Sequence, residues 1–213
     1  MKGARYIAIE GPIGVGKTSL ANLLSESVDG RLVCEQVDEN PFLKEFYKDR
    51  KKYSFQTQLY FLLNRYQQQK DLVQRDLFSS TVISDYIFAK DRIFAFMNLD
   101  ENELDLYEQI YSLLDARLPK PDLVIFIQAN SDILKERVRL RNRDYEQNID
   151  YGYLEALIHA YNEFFFHYNE TPLLVINSSE IDFVKNRGDF DLLLKEIKEM
   201  KGGVKHFVPL GSR

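Results

Sequence analysis

The sequence has little of what marks secreted, membrane-spanning or zinc-scaffolded proteins. Its 213 residues include one cysteine, Cys34, and no tryptophan, so an intramolecular disulfide and a cysteine-based zinc site are both excluded. The longest apolar runs, such as residues 59–63 and 164–166, are far shorter than the roughly 20 residues that cross a bilayer. A first strand that starts at about residue 5 leaves no room for a signal peptide. We therefore expect a cytoplasmic protein.

Excess charge of either sign is also lacking. The chain has 28 Lys and Arg against 33 Asp and Glu, a net charge of -5 and a pI near 5.4. This balance argues against a surface that binds nucleic acid polymers or membranes, although a local basic cluster can serve a small anionic ligand. The three histidines, His159, His167 and His206, form no ligand cluster by their spacing, and we predict no zinc site.

What the sequence does contain is a pattern of short apolar runs that alternate with longer helical segments. This pattern is typical of βαβ units and a parallel sheet, and the length fits one domain over residues 1–213. We predict an α/β fold of five parallel strands with helices on both faces, and ligands at the carboxyl ends of the strands. The predicted strands are 5–10, 31–35, 81–85, 122–128 and 173–177, and the predicted helices are 17–28, 41–49, 53–76, 102–115, 131–141, 150–169 and 189–200. Residues 204–213 form a tail with no assigned element.

A complete G-x-x-x-x-G-K-[ST] motif follows the first strand. It consists of Gly11, Pro12, Ile13, Gly14, Val15, Gly16, Lys17 and Thr18. The glycines allow the backbone to wrap around a phosphate, and the helix that follows adds its positive end. Lys17 is expected to contact the β- and γ-phosphates, and the Thr18 hydroxyl to bind Mg²⁺. An ordinary glycine-rich turn is the alternative, and the full match in a strand–loop–helix context disfavours it.

An arginine series later in the chain helps to separate the nucleotide-binding classes. The series comprises Arg137, Arg139, Arg141 and Arg143, and no N-K-x-D motif typical of a GTPase is present. Arg137 and Arg141 are four residues apart and project from one helix face. We predict a lid over about residues 137–150 that neutralises charge on a transferred phosphoryl group. The alternative is a solvated basic helix end.

These features together resemble the deoxynucleoside kinase family, and the resemblance extends from Tyr6 to about Phe165. It implies a P-loop kinase fold with an arginine-rich lid. The segment that begins at Glu35 is similar to the family's E-P-V segment, with Gln36 in place of the proline. The glutamate of that segment takes the proton from the substrate 5′-hydroxyl, which implies that Glu35 is the catalytic base. On spacing alone, Glu35 could instead be a structural strand-end residue.

Further matches concern the sugar and the phosphates. Tyr47 lies in a segment similar to the one whose tyrosine contacts the sugar 3′-hydroxyl. The lid is similar to the family pattern R-x-x-x-R-x-R-x-x-E, which implies that the arginines grip the phosphates and that Glu146 binds the 3′-hydroxyl. The catalytic arginines implied by this match are Arg137, Arg141 and Arg143.

The base-binding residues are implied by a helix similar to the family's base-reading helix. Gln58 can pair through its amide with a base edge, and Arg65 follows seven residues later on the same face. Without the resemblance, Gln58 reads as a surface residue of a glutamine-rich helix. Arg65 and Asp91 occupy positions that in the family accompany acceptance of purine or cytosine nucleosides.

The chain departs from the family at the third strand, where an E-R-S or D-R-S motif is expected and Ser84-Asp85-Tyr86 stands instead. Asp85 can serve Mg²⁺ as an oxygen ligand. Tyr86 lies at a substrate-binding position but cannot replace a guanidinium. Arg92 is seven residues beyond Asp85, and we hypothesise that it faces the site and compensates.

The resemblance implies an ATP- and Mg²⁺-dependent 5′-kinase of a deoxynucleoside, purine or cytosine preferred, that forms a homodimer. Two alternatives stay open. One is a kinase of another small hydroxyl or monophosphate acceptor, although a monophosphate needs an added basic pocket. The other is a non-catalytic family member that acts as a binding or assembly protein, since folds outlive functions.

Overall fold

The computed structural model describes residues 6–75, 81–141 and 149–209, without the side chains of 71–75 and 141. Within these residues, six strands form one parallel sheet in the order β2-β3-β1-β4-β5-β6. The strands are β1 (Tyr6–Glu10), β2 (Arg31–Val33), β3 (Val82–Ser84), β4 (Leu123–Gln128), β5 (Leu173–Asn177) and β6 (Val204–Phe207). The helices are α1 (Lys17–Val28), α2 (Leu43–Lys48), α3 (Arg50–Arg75), α4 (Lys90–Asn98), α5 (Glu101–Asp115), α6 (Ser131–Arg141), α7 (Tyr151–Phe166) and α8 (Arg187–Glu199). The predicted α/β fold with a parallel sheet is confirmed.

Strand β1 shows why the central strands read as continuous apolar runs. All five of its residues are buried. Ile7 and Ile9 pack in one cluster with α1 and α8, whereas Tyr6 and Ala8 pack on the opposite face with α4 and α7. Side chains alternate between the faces of a strand, so a strand that is covered by helices on both faces must be apolar throughout.

The order of the strands determines where a ligand can bind. Strand β1 pairs with β3 on one side and with β4 on the other, and the chain crosses over β1 on its way from β3 to β4. This is a topological switch point, where open α/β sheets bind their ligands at the carboxyl ends of the strands. The motif after β1 and the residues after β2 and β3 therefore meet at one edge of the sheet.

Two elements differ from the sequence prediction. The tail forms the edge strand β6, which pairs with β5 from Leu173–Val204 to Ile176–Phe207. Helix α4 was not predicted, because residues 82–90, which lead into the helix and include its first residue, are all buried and give no amphipathic pattern.

The second strand is also shorter than predicted. It ends at Val33, so Cys34, which the predicted strand 31–35 included, lies beyond the strand and is half-buried. Burial raises the pKa of the Cys34 thiol to about 11, which keeps it a protonated thiol at neutral pH.

Among the described helices, none combines the length and apolar character that a membrane crossing requires.

Candidate active site

A cavity of about 660 Å³ lies at the carboxyl edge of β1, β2 and β3. It has the size and shape of a small-molecule site. The predicted site residues on its wall are Ile13, Gly14, Val15, Gly16, Lys17, Thr18, Glu35, Tyr47, Gln58, Arg65, Asp85 and Arg137. The structure thus brings together residues from the phosphate-binding motif, the ends of β2 and β3, and helices α2, α3 and α6.

The phosphate-binding loop is fixed by close packing at two of its glycines. A Cβ atom at Gly11 would lie 2.4 Å from the carbonyl oxygen of Ile127 on β4. Gly14 has a φ of +83°, and a Cβ there would lie 2.9 Å from Cγ2 of Val138 on α6. Both positions require glycine, since a side chain would clash and the backbone of Gly14 lies in the left-handed region.

Lys17 lies within this loop. Its Nζ atom donates hydrogen bonds to the carbonyl oxygens of Gly11, at 2.7 Å, and Pro12, at 3.2 Å. Burial lowers the pKa of Lys17, while nearby carboxylates, Glu10 foremost, act in the opposite direction. These hydrogen bonds hold the ammonium against the backbone of the loop, where it can contact a bound phosphate.

Asp85 connects the phosphate-binding loop to the end of β2. Its Oδ2 atom accepts a hydrogen bond from the Thr18 hydroxyl at 2.6 Å, and its Oδ1 atom accepts one from the backbone N–H of Glu35 at 2.8 Å. One carboxylate thus fixes both the loop and the backbone of the predicted base. Because Asp85 follows β3 directly, the parallel register of β2 and β3 sets this arrangement.

Glu35 is a carboxylate held between two cations. Its Oε1 atom accepts from Nε of Arg65 at 2.9 Å and also contacts Nη2, and its Oε2 atom accepts from Nζ of Lys90 at 2.6 Å. Burial alone would raise the pKa of Glu35, but the charges and hydrogen bonds of Arg65 and Lys90 hold the pKa well below its usual range. The side chain is therefore ionised at neutral pH, as a proton acceptor must be.

Helix α3 places Gln58 and Arg65 on one wall of the cavity, as the seven-residue spacing predicted. Gln58 is 2 % exposed, so it is not a surface residue of a polar helix. Arg65 lies 4.7 Å above the ring of Phe61 and pairs with Oδ1 of Asp91. Asp91 is fully buried and holds the guanidinium from behind, outside the cavity wall that the structure describes.

The lid is described in part. Nη1 of Arg137 donates to the carbonyl oxygen of Val15 at 3.1 Å, which joins α6 to the phosphate-binding loop. Arg139 is exposed, and α6 ends at Arg141. The side chain of Arg141, and the whole of Arg143 and Glu146, lie outside the described residues.

Two residues do not lie where the sequence interpretation put them. Tyr86 was assigned to the substrate site, but it is fully buried, its hydroxyl donates to Oε1 of Gln68 at 2.9 Å, and the described cavity wall does not include it. Arg92 was expected to face the site, but its Nε atom donates to Oε1 of Glu108 on α5 at 3.0 Å. Residues 85–89 form a turn before α4, so the helical spacing assumed between Asp85 and Arg92 does not apply.

Lys90 and Glu10 are site residues that the sequence interpretation missed. Lys90 lies on the cavity wall at the start of α4. Glu10 ends β1 and accepts hydrogen bonds from the backbone N–H groups of Gly11 and Ile87 and from the Tyr161 hydroxyl. The available signals were a lysine within an apolar stretch after the third strand and an acidic residue at the end of the first.

The segment after β5 was also missed. Asp182, Phe183, Val184 and Lys185 lie on the cavity wall, and a Cβ at Gly16 would be 3.1 Å from the Phe183 ring. The six described strands are all parallel, so the loop after β5 opens at the same edge as the motif. This segment closes the side of the cavity next to the phosphate-binding loop.

A magnesium ion fits the donor atoms at this edge. The Thr18 hydroxyl and the Asp85 carboxylate are hard oxygen donors 2.6 Å apart beside Lys17. Within residues 6–75, 81–141 and 149–209, no group of three or more His, Cys, Asp and Glu side chains could hold a metal ion by itself. Mg²⁺ bound to nucleotides takes one or two protein ligands and otherwise phosphate oxygens and water, which matches this pair.

The sequence of this chain is similar to those of known enzymes. A model of the deoxynucleoside kinase family matches residues 7–201. The chain is 38% identical over 205 residues to deoxyguanosine kinase from Bacillus subtilis, covering 94% of this chain and 99% of the relative. It is 33% identical over 209 residues to deoxyadenosine kinase from Lactobacillus acidophilus, covering 92% of this chain and 95% of the relative.

Solved structures of a deoxyadenosine kinase are also similar to this chain. Deoxyadenosine kinase from M. mycoides with bound dATP is 26% identical, with a TM-score of 0.78, and the match covers 92% of this chain and 100% of that one. The same enzyme with the products dCMP and dCDP bound is 27% identical, with a TM-score of 0.79 and the same coverage.

Proposed function

Because this chain belongs to the deoxynucleoside kinase family, we propose that it transfers the γ-phosphoryl group of ATP to the 5′-hydroxyl of a deoxynucleoside. Purine and cytosine deoxynucleosides are the preferred acceptors. The observation that carries the proposal is the Asp85 carboxylate, which is hydrogen-bonded to Thr18 on one side and to the backbone of Glu35 on the other. Asp85 thus fixes the phosphate-binding loop and the proposed catalytic base relative to each other.

The donor binds on the side of the cavity formed by the phosphate-binding loop. Backbone N–H groups of the loop and the Lys17 ammonium contact the phosphates. Lys17 exchanges its contacts with the carbonyl oxygens of Gly11 and Pro12 for phosphate oxygens. Thr18 and Asp85 would hold Mg²⁺, which when bound neutralises the charge of the phosphates.

The acceptor binds on the side formed by α2 and α3. Tyr47 and Gln58 lie on this wall, where they contact the sugar 3′-hydroxyl and the base, and Glu146 completes the sugar site. The 5′-hydroxyl then points toward Glu35, at the boundary between the two halves of the cavity. A Glu35 carboxylate fixed by Arg65 and Lys90 orients that hydroxyl for in-line attack.

The reaction balances as a direct transfer. The bond between the 5′-oxygen and the γ-phosphorus forms as the bond from that phosphorus to the bridging oxygen breaks, ADP leaves, and the hydroxyl proton passes to Glu35. Phosphoryl transfer has a loose transition state in which the hydroxyl keeps much of its proton, so a carboxylate of low pKa is a sufficient base. Arg137, with Arg141 and Arg143 of the lid, stabilises the charge on the transferred group.

The preference for particular nucleobases in the acceptor depends on residues of helix α3. Arg65 has five N–H donors and directs three of them at Glu35 and Asp91. The remaining donors and the Gln58 amide suit a base edge with both acceptors and donors, and thymine, with its methyl group and reversed edge, fits poorly. The names of the similar deoxyguanosine and deoxyadenosine kinases support this preference.

The proposal is tested by incubating the protein with Mg-ATP and deoxyadenosine and comparing the product with 5′- and 3′-monophosphate standards by chromatography. We expect the 5′-monophosphate. Lys17→Met removes the cation at the phosphates and should lower kcat at least about a hundredfold. Lys120→Met removes a lysine that pairs with Asp115 and Glu170 and serves as the unchanged control. A 3′-monophosphate, or near-normal turnover in Lys17→Met, would contradict the mechanism.

A further inference from the structure

We infer that Lys90 binds the 5′-oxygen of the acceptor and, after transfer, the phosphate of the product. This inference rests on the proposed function and assigns a cation to the position where the chain lacks the family's arginine after the third strand. Tyr86 stands in place of an arginine, but its hydroxyl faces Gln68. Arg92 pairs with Glu108 on α5.

Lys90 is a buried cation on the cavity wall. Its side chain is 4 % exposed. The residue is the first of α4 and follows directly on the turn after β3. Its Nζ atom lies 2.6 Å from Oε2 of Glu35, the proposed base. A group that contacts the base oxygen on the cavity side is also within reach of the hydroxyl whose proton that oxygen accepts.

The ammonium has donors to spare. Lysine carries three N–H donors, and among the described residues its one hydrogen bond goes to Glu35. Oε2 of Glu10 is 4.0 Å away, which is beyond hydrogen-bond length, and the ring of Phe94 lies 6.0 Å below. A buried ammonium is stabilised when its free donors find acceptors, and the oxygens of a phosphate are such acceptors.

Glu10 fixes the backbone that leads into Lys90. Glu10 accepts hydrogen bonds from Gly11 at the start of the phosphate-binding loop and from Ile87 in the turn before α4. One buried carboxylate therefore ties the lysine-bearing turn to the loop. This holds the start of α4 next to the phosphate-binding loop.

Lys90 and Lys17 both lie on the cavity wall. Burial lowers the pKa of Lys17, and the positive charge of Lys90 lowers the pKa further. The two ammonium groups therefore repel each other within the cavity. A phosphoryl group between them relieves this repulsion, as at other anion sites built from paired cations.

During the reaction Lys90 keeps its proton. The proton of the 5′-hydroxyl goes to Glu35, the new bond joins the 5′-oxygen to phosphorus, and ADP leaves. Lys90 shifts one donor toward the 5′-oxygen and then toward the new phosphate. A purely structural Lys90 would instead serve as a counter-ion for Glu35 and Glu10, and would make no contact with ligand.

Binding measurements on Lys90→Met distinguish these roles without relying on turnover. Calorimetry compares 2′,5′-dideoxyadenosine, which lacks the 5′-oxygen, with deoxyadenosine and with its 5′-monophosphate. We expect Lys90→Met to bind the dideoxynucleoside nearly as the wild type does and to bind the monophosphate about 10- to 100-fold more weakly, the effect of losing a charge-assisted hydrogen bond. Arg92→Met, on the neighbouring but outward-facing residue, is the matched control and should change neither affinity.

Each other outcome has a distinct meaning. Equal weakening of all three ligands, or no weakening of the monophosphate, overturns the assignment of Lys90 alone. Failure of the wild type to bind any of the three ligands overturns the proposed function and the inference with it.

A second measurement uses the wild-type protein in case Lys90→Met does not fold. Lysines are acylated with and without ligand, and peptides are quantified by mass spectrometry. The monophosphate should protect Lys90 from acylation more strongly than the dideoxynucleoside does. Equal protection by the two ligands would contradict the inference.

Discussion

Glu35 has both carboxylate oxygens engaged by cations, Arg65 on one and Lys90 on the other. Such a carboxylate is costly to bury unless its partners stay in place. Asp91 and Glu10 provide this support, because Asp91 pairs with Arg65 and Glu10 lies 4.0 Å from Nζ of Lys90. Glu35, the proposed base, is therefore part of a connected network of charges, and its geometry depends on residues to which the proposal assigns no substrate contact.

The variant Glu35→Gln tests the base directly. It keeps the shape of the side chain but cannot accept the proton, so we expect kcat to fall about 10²- to 10⁴-fold while deoxynucleoside affinity changes far less. Steady-state kinetics and calorimetry separate the two quantities. Glu39→Gln, at an exposed position four residues on, should behave as wild type. A collapse of affinity with unchanged kcat would identify Glu35 as a binding residue and place the base elsewhere.

The sequence predicted those site residues that a motif or a strand end fixes. Lys17, Thr18, Glu35 and Asp85 all follow a strand or lie in the loop after one, so the parallel sheet alone brings them together. Lys90 could not be predicted in this way, because its position depends on the turn over residues 85–89 and on the contact of Glu10 with that turn.

At the scale of elements, a capping interaction defines the start of α5, a helix that packs against two helices of the site. Helix α5 begins with a capping box, in which the Asp100 side chain accepts from the backbone of Glu103 and the Glu103 side chain accepts from the backbone of Asp100. Tyr107 and Tyr111 of α5 pack with α3 and α4. Helix α5 thus supports, from outside, the two helices that present Arg65 and Lys90.

Asp100→Ala should therefore reduce stability without altering chemistry. The expected loss is about 0.5–2 kcal/mol in the free energy of unfolding, the usual effect of removing a helix cap, with kcat/KM unchanged. Urea denaturation measures the loss, and Asp105→Ala, an exposed residue of the same helix, is the control. Equal stability of the two variants would show that the capping box contributes nothing measurable.

Element prediction worked where local pattern and burial agreed. Helices α1 and α6 and strand β5 have the predicted bounds. Strand β6 was not predicted because its residues alternate between exposed and half-buried, and its pairing with the edge of β5 decides its conformation. Helix α4 was missed because it follows a fully buried stretch, residues 82–90, where helical and strand patterns look alike.

At the scale of the whole molecule, the charged network makes stability depend on pH. The folded state holds the pKa of Glu35 below its ordinary value of 4.5, since Arg65 and Lys90 outweigh the effect of burial. The unfolded chain takes up a proton at a higher pH than the folded protein does. The stabilisation is therefore complete above the ordinary pKa and is lost as the pH falls toward the folded-state pKa.

Urea denaturation of wild type and Glu35→Gln between pH 6 and pH 3 measures this contribution. Below about pH 4.5 the wild type should lose stability more steeply than Glu35→Gln does, and the two slopes should differ by up to about 1.4 kcal/mol per pH unit. Parallel curves for the two proteins would mean that Glu35 is not held ionised by its partners.

In the function proposed for this deoxynucleoside kinase, Gln58, Arg65 and the Asp91 behind it define the acceptor pocket. The most direct test is kcat/KM of the wild-type protein with Mg-ATP for each of the four deoxynucleosides. We predict that deoxyadenosine, deoxyguanosine or deoxycytidine gives the highest value and that thymidine gives a lower one, because its methyl group and reversed edge oppose the pocket. Thymidine with the highest kcat/KM, or no transfer to any of the four, would contradict the account.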